Sequence, residues 1–144
     1  MTCYRLARRK FADLSGAGAG FYGGRYNPPG IPAVYSSQSI ALACLEVLVH
    51  IDKSEVPNDY VVMAIQFAGR KVYRAQTSLP DFGQFVATDF RNSNYYRPFL
   101  RVPSVIVPRE YNYVLFPDAE GFSANVAWIE PLNFDRRLFA LIGE

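Results

Sequence analysis

The chain has 144 residues, of which 50% are hydrophobic and 19% are charged, and its formal net charge is +2. That length suits one domain with a substantial core, and the apolar content excludes an intrinsically disordered chain. The small net charge argues against direct binding to nucleic acid, and no apolar run reaches the length of a membrane span. We therefore expect one globular domain over residues 1–144.

Cysteine and histidine are too scarce for the common protein metal sites. Cys3 and Cys44 lack the spacing of metal ligands, and His50 is the single histidine, so a His-based metal site or a Ser/His/Asp triad has little to work with. We expect reduced thiols, no structural metal and a cytoplasmic protein.

The first third of the chain predicts two short strands and one apolar helix. In chain order the pattern predicts a strand over 2–6, a glycine-rich loop over 15–24, an Asn-Pro-Pro-Gly turn over 27–30, a strand over 33–36 and a helix over 39–50. The helix, which begins after three serines that can act as N-caps, is apolar on nearly every face. Such a pattern is typical of a helix buried on all sides.

The rest of the chain predicts further short strands. We expect strands over 60–67, 72–74 (continuing a hairpin), 99–107 (interrupted by Pro103) and 129–134, with a short amphipathic helix over 81–90, a turn over 92–97 and a helical turn over 135–141. The whole predicts an α+β fold, a single compact domain with short mixed strands around a buried helix.

Glu46 is the one charge inside that apolar helix. A buried carboxylate is costly unless it is paired, hydrogen-bonded or neutral, and Arg25 is the nearest candidate partner in sequence. The Glu46 side chain therefore belongs either to an ordinary structural ion pair or helix edge, or to a functional site.

Four further polar side chains are candidates for the same site, and each has a structural alternative. Tyr35 can be a core tyrosine, Ser104 can satisfy backbone groups at the Pro103 break, Arg5 can be a surface charge, and Asn112 can belong to a turn. In combination they suit a nucleotide: arginine is a bidentate donor to phosphate, tyrosine stacks on a heteroaromatic ring, and a carboxylate stabilises positive charge developing on a sugar.

The order of these residues resembles the RES domain, a family named for Arg, Glu and Ser residues that correspond to Arg25, Glu46 and Ser104. The resemblance covers essentially the whole chain and is carried by these segments: Gly24-Arg25-Tyr26-Asn27-Pro28-Pro29-Gly30, Val34-Tyr35-Ser36-Ser37, Leu45-Glu46-Val47-Leu48-Val49-His50, Leu100-Arg101-Val102-Pro103-Ser104 and Phe134-Asp135-Arg136-Arg137-Leu138. Tyr26 stands where the family commonly has Trp, and residues 81–97 match least well.

The resemblance implies the toxin of a bacterial RES–Xre toxin–antitoxin system, with a fold similar to ADP-ribosyltransferase toxins. It implies that NAD is a consumed substrate, with no other cofactor. Carried over, Glu46 would be catalytic together with Arg25 and Tyr35, and the residues Arg5, Arg25, Tyr35, Ser104 and Asn112 would bind NAD. The implied partner is a Xre-type helix-turn-helix antitoxin, and the apolar content would tolerate a homodimer.

Three alternatives remain open at this point. A non-catalytic module for an ADP-ribose-type ligand would use the same arginine and tyrosine. A ribonuclease toxin would need a basic surface or a His/Glu pair, which the composition meets poorly. ADP-ribosyl transfer would use the same pocket as NAD hydrolysis; some transferases carry an acidic residue two positions before the catalytic Glu, and Cys44 stands there, which favours hydrolysis.

Overall fold

A computed structural model describes residues 1–52, 54–76 and 79–142. Within these ranges the strands are β1 (Thr2–Arg8), β2 (Val34–Ser37), β3 (Tyr60–Phe67), β4 (Val72–Arg74), β5 (Phe99–Pro103), β6 (Tyr111–Leu115) and β7 (Ala124–Pro131). The α-helices of the same ranges are α1 (Ala17–Tyr22), α2 (Ile40–Leu48), α3 (Ala87–Arg91) and α4 (Arg137–Ile142), and short 3₁₀ turns occupy Arg9–Phe11, Gly69–Lys71 and Phe82–Gln84.

These strands form one mixed sheet in the order β4-β5-β6-β2-β1-β3-β7. β4 and β5 are parallel, whereas the other neighbours are antiparallel. The predicted single α+β domain with short mixed strands is therefore confirmed. None of the helices that the structure describes has the length and apolarity needed to cross a membrane.

One half of the sheet consists of β1, β3 and β7. The strand predicted over 60–67 has those bounds as β3, whose β-branched and aromatic residues suit a strand buried between two neighbours. β3 pairs with β1 from Thr2↔Gln66 to Arg8↔Tyr60, and it pairs with β7 along the opposite edge. Helix α2 packs on this half through Ala43, which clusters with Leu6 and Val62.

The other half consists of β4, β5, β6 and β2, strands of three to five residues. An aromatic cluster covers one face of it, with the rings of Phe82, Phe90 and Phe116 fully buried. Phe82 and Phe90 come from residues 81–97, where the family pattern matched least well. That segment is therefore core structure, and its apolar residues pack as two short helical turns rather than as the one predicted helix.

The two halves barely pair with each other. In the described part of the chain, the register between β1 and β2 is the single pair Tyr4↔Ser37. Beyond that pair the two strands diverge, so the sheet is split between residues 5–8 of β1 and residues 33–36, which include most of β2. The split is the feature that positions the site.

Several local predictions were wrong. The glycine-rich segment predicted as a loop contains α1, and its Gly16 (φ +65°) packs so closely on the Ala33 backbone that a Cβ would lie 2.6 Å from the Ala33 nitrogen. β4 pairs in parallel with β5 instead of forming a hairpin, because its partner comes from a distant part of the chain. The last strand is β7, five residues earlier than its predicted start, and it lies exposed at the sheet edge, where no apolar alternation marks it.

Helix α2 begins where the serine pattern predicted, with the Ser39 hydroxyl accepting a hydrogen bond from the Leu42 N–H at 3.1 Å. It is not buried on all sides, however. Leu42, Ala43 and Leu48 are buried, whereas Leu45 is 38% exposed. On this open side Val47 lines a cleft, and an apolar cleft wall looks the same in sequence as a core.

Candidate active site

A cleft of about 1220 Å³ opens where the sheet splits. Its walls come from β1, β2 and α2, and α1 lies along it; the lining includes Arg5, Arg25, Tyr26, Tyr35, Glu46, His50 and Asn112. Pockets for small ligands usually measure about 300–1,000 Å³, so this cleft has room for a dinucleotide. Five of the six site residues predicted from sequence line it, and Ser104 lies behind its wall.

The split also leaves backbone groups facing the cleft. In an antiparallel pair, consecutive residues direct their N–H and C=O groups to alternate sides. The backbone N–H of Arg9 donates to the backbone carbonyl of Asp59, just before β3. The backbone groups of the odd-numbered residues of β1 therefore face β3, and those of Leu6 and Arg8 face the split. The Gln38 N–H, just after β2, donates to the carbonyl of Tyr111 in β6, so the even-numbered residues of β2 face β6. By the same alternation, Tyr35 directs its backbone groups at the split. The cleft therefore offers strand-edge donors and acceptors as well as side chains.

Glu46 is half-buried and is held by two hydrogen bonds on one oxygen. Ser104 Oγ and Asn112 Nδ2 each donate to Glu46 Oε1 at 2.8 Å. Among the residues that the structure describes, none donates to Oε2, which leaves that oxygen for a ligand. The ion pair with Arg25, one of the two alternatives that the sequence left open, does not form, because the described part of the chain has no salt bridge between Glu46 and Arg25. The carboxylate is instead stabilised by neutral donors from distant strands.

Ser104 is 2% exposed and is fixed from several directions. It follows directly after Pro103, where β5 ends, and its N–H donates to the Glu110 carbonyl at 2.8 Å. Its hydroxyl oxygen accepts the N–H groups of Ile106 and Val107 at 3.1 and 3.0 Å, so its proton is directed at Glu46. In this structure Ser104 therefore contacts the carboxylate and does not reach the cleft surface.

Asn112 is oriented by Ser37. The Ser37 hydroxyl donates to Asn112 Oδ1 at 2.7 Å, which requires the amide nitrogen to point at Glu46. Ser37 and Asn112 are also cross-strand partners in β2 and β6. A relay of hydrogen bonds thus runs from β2 through β6 to the carboxylate on α2.

Arg25 is held by backbone carbonyls. Its guanidinium donates to the carbonyls of Pro80 and Leu79, the latter at 2.9 Å, and it lies 5.1 Å from the centre of the Tyr26 ring. Phe82 N–H donates back to the Arg25 carbonyl at 3.1 Å. Residues 79–82, for which the sequence pattern predicted no function, set the position of Arg25.

Tyr26 lies close enough to Arg25 and Glu46 for both charges to affect the pKa of its phenol. Burial raises the pKa of Tyr26, the positive charge of Arg25 opposes that rise, and the negative charge of Glu46 adds to it. Arg25 and Glu46 therefore belong to one site, with an aromatic ring close to both.

The Tyr35 hydroxyl is committed to the protein. It donates to Asn27 Oδ1 and accepts the Tyr26 N–H at 3.2 Å, while burial raises the pKa of Tyr35 to about 12. The Asn27 amide in turn donates to the Ala19 and Ile31 carbonyls at 2.8 and 2.9 Å. The ring of Tyr35 lines the cleft, whereas its hydroxyl fixes the turn that carries Tyr26.

Arg5 enters the cleft from β1. Its Nη1 donates to the Phe11 carbonyl at 2.7 Å and lies 3.8 Å from Met63 Sδ. Burial lowers the pKa of Arg5, and the nearby carboxylate of Asp13 raises it in part. Arg5 is thus a half-buried cation at the side of the cleft, not a freely solvated surface charge.

The sequence did not reveal the apolar rim of the cleft. Four lining side chains are large, apolar or aromatic, and exposed: Phe11 (53%), Tyr22 (80%), Val49 (51%) and Val105 (82%). They come from four separate segments, so nothing in local sequence could have grouped them. In the described ranges no group of three or more His, Cys, Asp or Glu side chains could hold a metal ion.

The model of the RES domain matches residues 2–137. The chain belongs to the RES-domain family. It is 35% identical to "Toxin Res" of Photorhabdus laumondii over 96% of its length and 97% of the relative's. It is also 35% identical to the "Prs ADP-ribosylating toxin" of a Sphingobium strain, over 78% of this chain and 79% of that one.

A solved structure shares the fold. A chain in the crystal structure of the Mycobacterium tuberculosis MbcT–MbcA toxin–antitoxin complex superposes with a TM-score of 0.64. The match covers 92% of this chain and 84% of that one at 19% identity. This likeness, together with the family match, confirms the RES-type α+β fold that the sequence motifs implied.

Proposed function

We propose that this RES-domain protein is the toxin of a toxin–antitoxin pair and that it depletes NAD by cleaving the bond between nicotinamide and ribose. The observation that carries the proposal is the Glu46 carboxylate, which lines the cleft together with Arg25 and has one oxygen fixed by Ser104 and Asn112 and the other without a donor among the described residues. A relative named an ADP-ribosylating toxin supports it, because NAD is the ordinary donor of ADP-ribose.

The reaction needs electrostatic help more than proton transfer. The C1′–N bond breaks with its electron pair going to nicotinamide, which leaves as a neutral molecule, and positive charge spreads over C1′ and the ring oxygen. Water then forms the new bond at C1′ and releases a proton to solvent. A fixed carboxylate beside the ribose stabilises that charge as it develops, and such preorganised groups are usually the largest contribution to catalysis.

Each cleft residue has a place in this reaction. Glu46 Oε2 accepts from a ribose hydroxyl and faces the developing cation, while Arg25 and Arg5 bind the pyrophosphate. The Tyr26 and Tyr35 rings pack on the nicotinamide side, and the strand-edge groups of Leu6 and Tyr35 can bond to the carboxamide. Ser104 and Asn112 act on NAD through the carboxylate that they position.

ADP-ribosyl transfer is the second candidate, favoured by the relative named above. The position two residues before Glu46 bears on this choice: Cys44 lies on the side of α2 that packs against the β1–β3 core, and it does not line the cleft. From this position the Cys44 side chain does not contact a group that enters the cleft to accept ADP-ribose, which supports water as the acceptor.

The same comparisons support an antitoxin as the partner. The solved relative is a toxin–antitoxin complex, and we propose a Xre-type antitoxin for this chain, acting in the cytoplasm. The apolar rim of the cleft, with Tyr22 and Val105 almost fully exposed, offers a surface on which such a protein can cover the site.

The test is to incubate the purified protein with NAD and to follow nicotinamide and ADP-ribose by chromatography. We expect both products from the wild type, and a loss of about 10²–10³-fold in rate for Glu46→Gln, in which the fixed oxygen can be kept but the charge is gone. Glu130→Gln on the exposed strand β7 makes the same charge change far from the cleft and should retain full activity.

The products separate the alternatives. Nicotinamide without free ADP-ribose would indicate transfer to an acceptor. Tight binding of intact NAD by a folded wild type would contradict catalysis and support the non-catalytic module. Full activity in Glu46→Gln would refute the mechanism, even if NAD is consumed.

A further inference from the structure

A second cationic site lies on the half of the sheet away from β1. Arg74 and Arg101 are register partners in the parallel strands β4 and β5, so their side chains stand side by side on one face. Like charges directly opposite each other in a sheet destabilise the pairing. Within the described residues neither arginine forms an ion pair with a carboxylate. Two adjacent cations without an anion need an explanation.

The Arg101 side chain contains an unsatisfied donor. Its Nε is buried and has no hydrogen-bond partner in the described structure. Buried donors are nearly always paired, so an orphan needs an explanation such as strain, a functional role, or a bound water or ion. The guanidinium carbon lies 3.9 Å from the centre of the Tyr111 ring, so stacking fixes the plane of the group. Arg101 is thus held in place, and its Nε has no acceptor among the described residues.

Two tyrosines complete the cluster. Tyr111 and Tyr113 alternate along β6 on the same face as Arg101, whose register partner is Tyr113. Burial raises the pKa of Tyr113, while the positive charges of Arg101 and Arg74 lower it. Both guanidinium groups therefore lie near the Tyr113 phenol. Two arginines and two tyrosines on three adjacent strands offer charged forks and neutral hydroxyl donors to one small anion.

This cluster is separate from the cleft. None of its four residues lines the cleft. They share the sheet face with Phe99 and Leu115, whereas Asn112 and Val114 of β6 point to the face that carries the aromatic cluster and the carboxylate relay. The NAD-cleavage proposal makes no use of them.

We propose that Arg74, Arg101, Tyr111 and Tyr113 form a binding site for a phosphate group, either free or carried by a small molecule such as a nucleotide. The Arg101 fork supplies bidentate hydrogen bonds including Nε, Arg74 neutralises the second charge of the dianion, and the tyrosine hydroxyls donate to the remaining oxygens. Occupancy of the site explains both the paired cations and the unsatisfied Nε. The inference stands independently of the proposed function.

The experiment is a titration of the full chain with inorganic phosphate, against chloride at equal ionic strength, followed by NMR of the arginine Nε–H signals. We expect the Arg101 Nε–H to shift and to become protected from exchange with solvent. In Arg74→Gln, an exposed position that should not disturb folding, we expect affinity to fall about tenfold, the value of one charge-assisted hydrogen bond. Arg101→Lys keeps the charge but loses the Nε–H, and it should weaken binding similarly, as followed on the Nε–H signal of Arg74.

Two control variants show whether phosphate binds at this cluster or elsewhere on the protein. Arg70→Gln removes an exposed charge close to β4 in sequence and should leave the phosphate affinity unchanged. Arg25→Ala removes the cation of the cleft and should also leave it unchanged, so a loss there would place phosphate in the cleft and overturn the proposal. Tighter binding of AMP than of phosphate would identify a nucleotide as the occupant. An Arg101 signal that responds equally to phosphate and chloride would refute the site.

Discussion

The two halves of the sheet differ in how their strands are held. On one side β1, β3 and β7 pair along seven or more residues, whereas β4, β5, β6 and β2 are short and rely on the aromatic cluster around Phe82 and Phe90. The halves join at Tyr4↔Ser37. Glu46 lies on α2, which packs on the first half, yet its hydrogen bonds come from the second. The geometry of the carboxylate therefore depends on the position of one half relative to the other.

Among substitutions outside Glu46 itself, breaking its hydrogen bonds with Ser104 and Asn112 should have the largest effect. In Ser104→Ala and Asn112→Ala we expect the rate of NAD cleavage to fall about 10²-fold, because a displaced carboxylate no longer meets the ribose in the productive geometry. Product chromatography measures the rate, and circular dichroism checks the fold. Asn125→Ala is the matched control, since that amide donates to Gln66 Oε1 on the exposed edge of the first half. An equal loss of rate in all three variants would contradict a specific role for the hydrogen bonds to Glu46.

Hydrogen exchange compares the two edges of β1 directly. The amides of Arg5 and Ala7 face β3 and should be protected, whereas those of Leu6 and Arg8 face the split and should exchange at least about tenfold faster. Amide exchange followed by NMR resolves these neighbours. Uniform protection of all four would mean that the halves pair in solution and that the split closes.

Displacing the segment that holds Arg25 should have a smaller effect on catalysis. A Cβ at Gly83 would clash with the Gly24 carbonyl oxygen, so Gly83→Ala must push this segment away from Arg25. We expect the KM for NAD to rise severalfold and stability to fall by about 1–3 kcal/mol. At Gly69 a Cβ meets Met1 at an ordinary 3.4 Å, so Gly69→Ala should change neither quantity.

The smallest predicted effect concerns alkaline pH. Unfolded tyrosine loses its proton near pH 10.0, whereas folded Tyr35 keeps it to about pH 12, since burial raises its pKa. Between these values the folded state binds more protons, so Tyr35 lowers the free energy of unfolding by up to about 1.4 kcal/mol per pH unit as pH rises. Tyr35→Phe should show a shallower decline in urea titrations from pH 10 to 12; an unchanged slope would contradict the buried phenol.

What the sequence could predict was local. Tyr60–Phe67 and the Ser39-capped helix follow from residue type and capping, and their bounds were close to those observed. The partners of Glu46 could not be inferred, because Ser104 and Asn112 are 58 and 66 residues away and meet it only through the sheet. For the same reason the parallel pairing of β4 with β5 was missed. The apolar open side of α2 was mistaken for core because apolarity alone does not distinguish a cleft wall from an interior.

The strand edges of the cleft have a consequence for inhibitors of this protein. A ligand that binds through the N–H and C=O groups of Leu6 and Tyr35 uses atoms that no ordinary substitution removes, since a new side chain leaves the backbone in place. Only proline deletes an N–H, and in a strand it also fixes φ and disturbs the chain around it. Escape mutants against a compound built on these groups would therefore be scarce, whereas compounds relying on Phe11 or Val105 at the rim would be readily evaded.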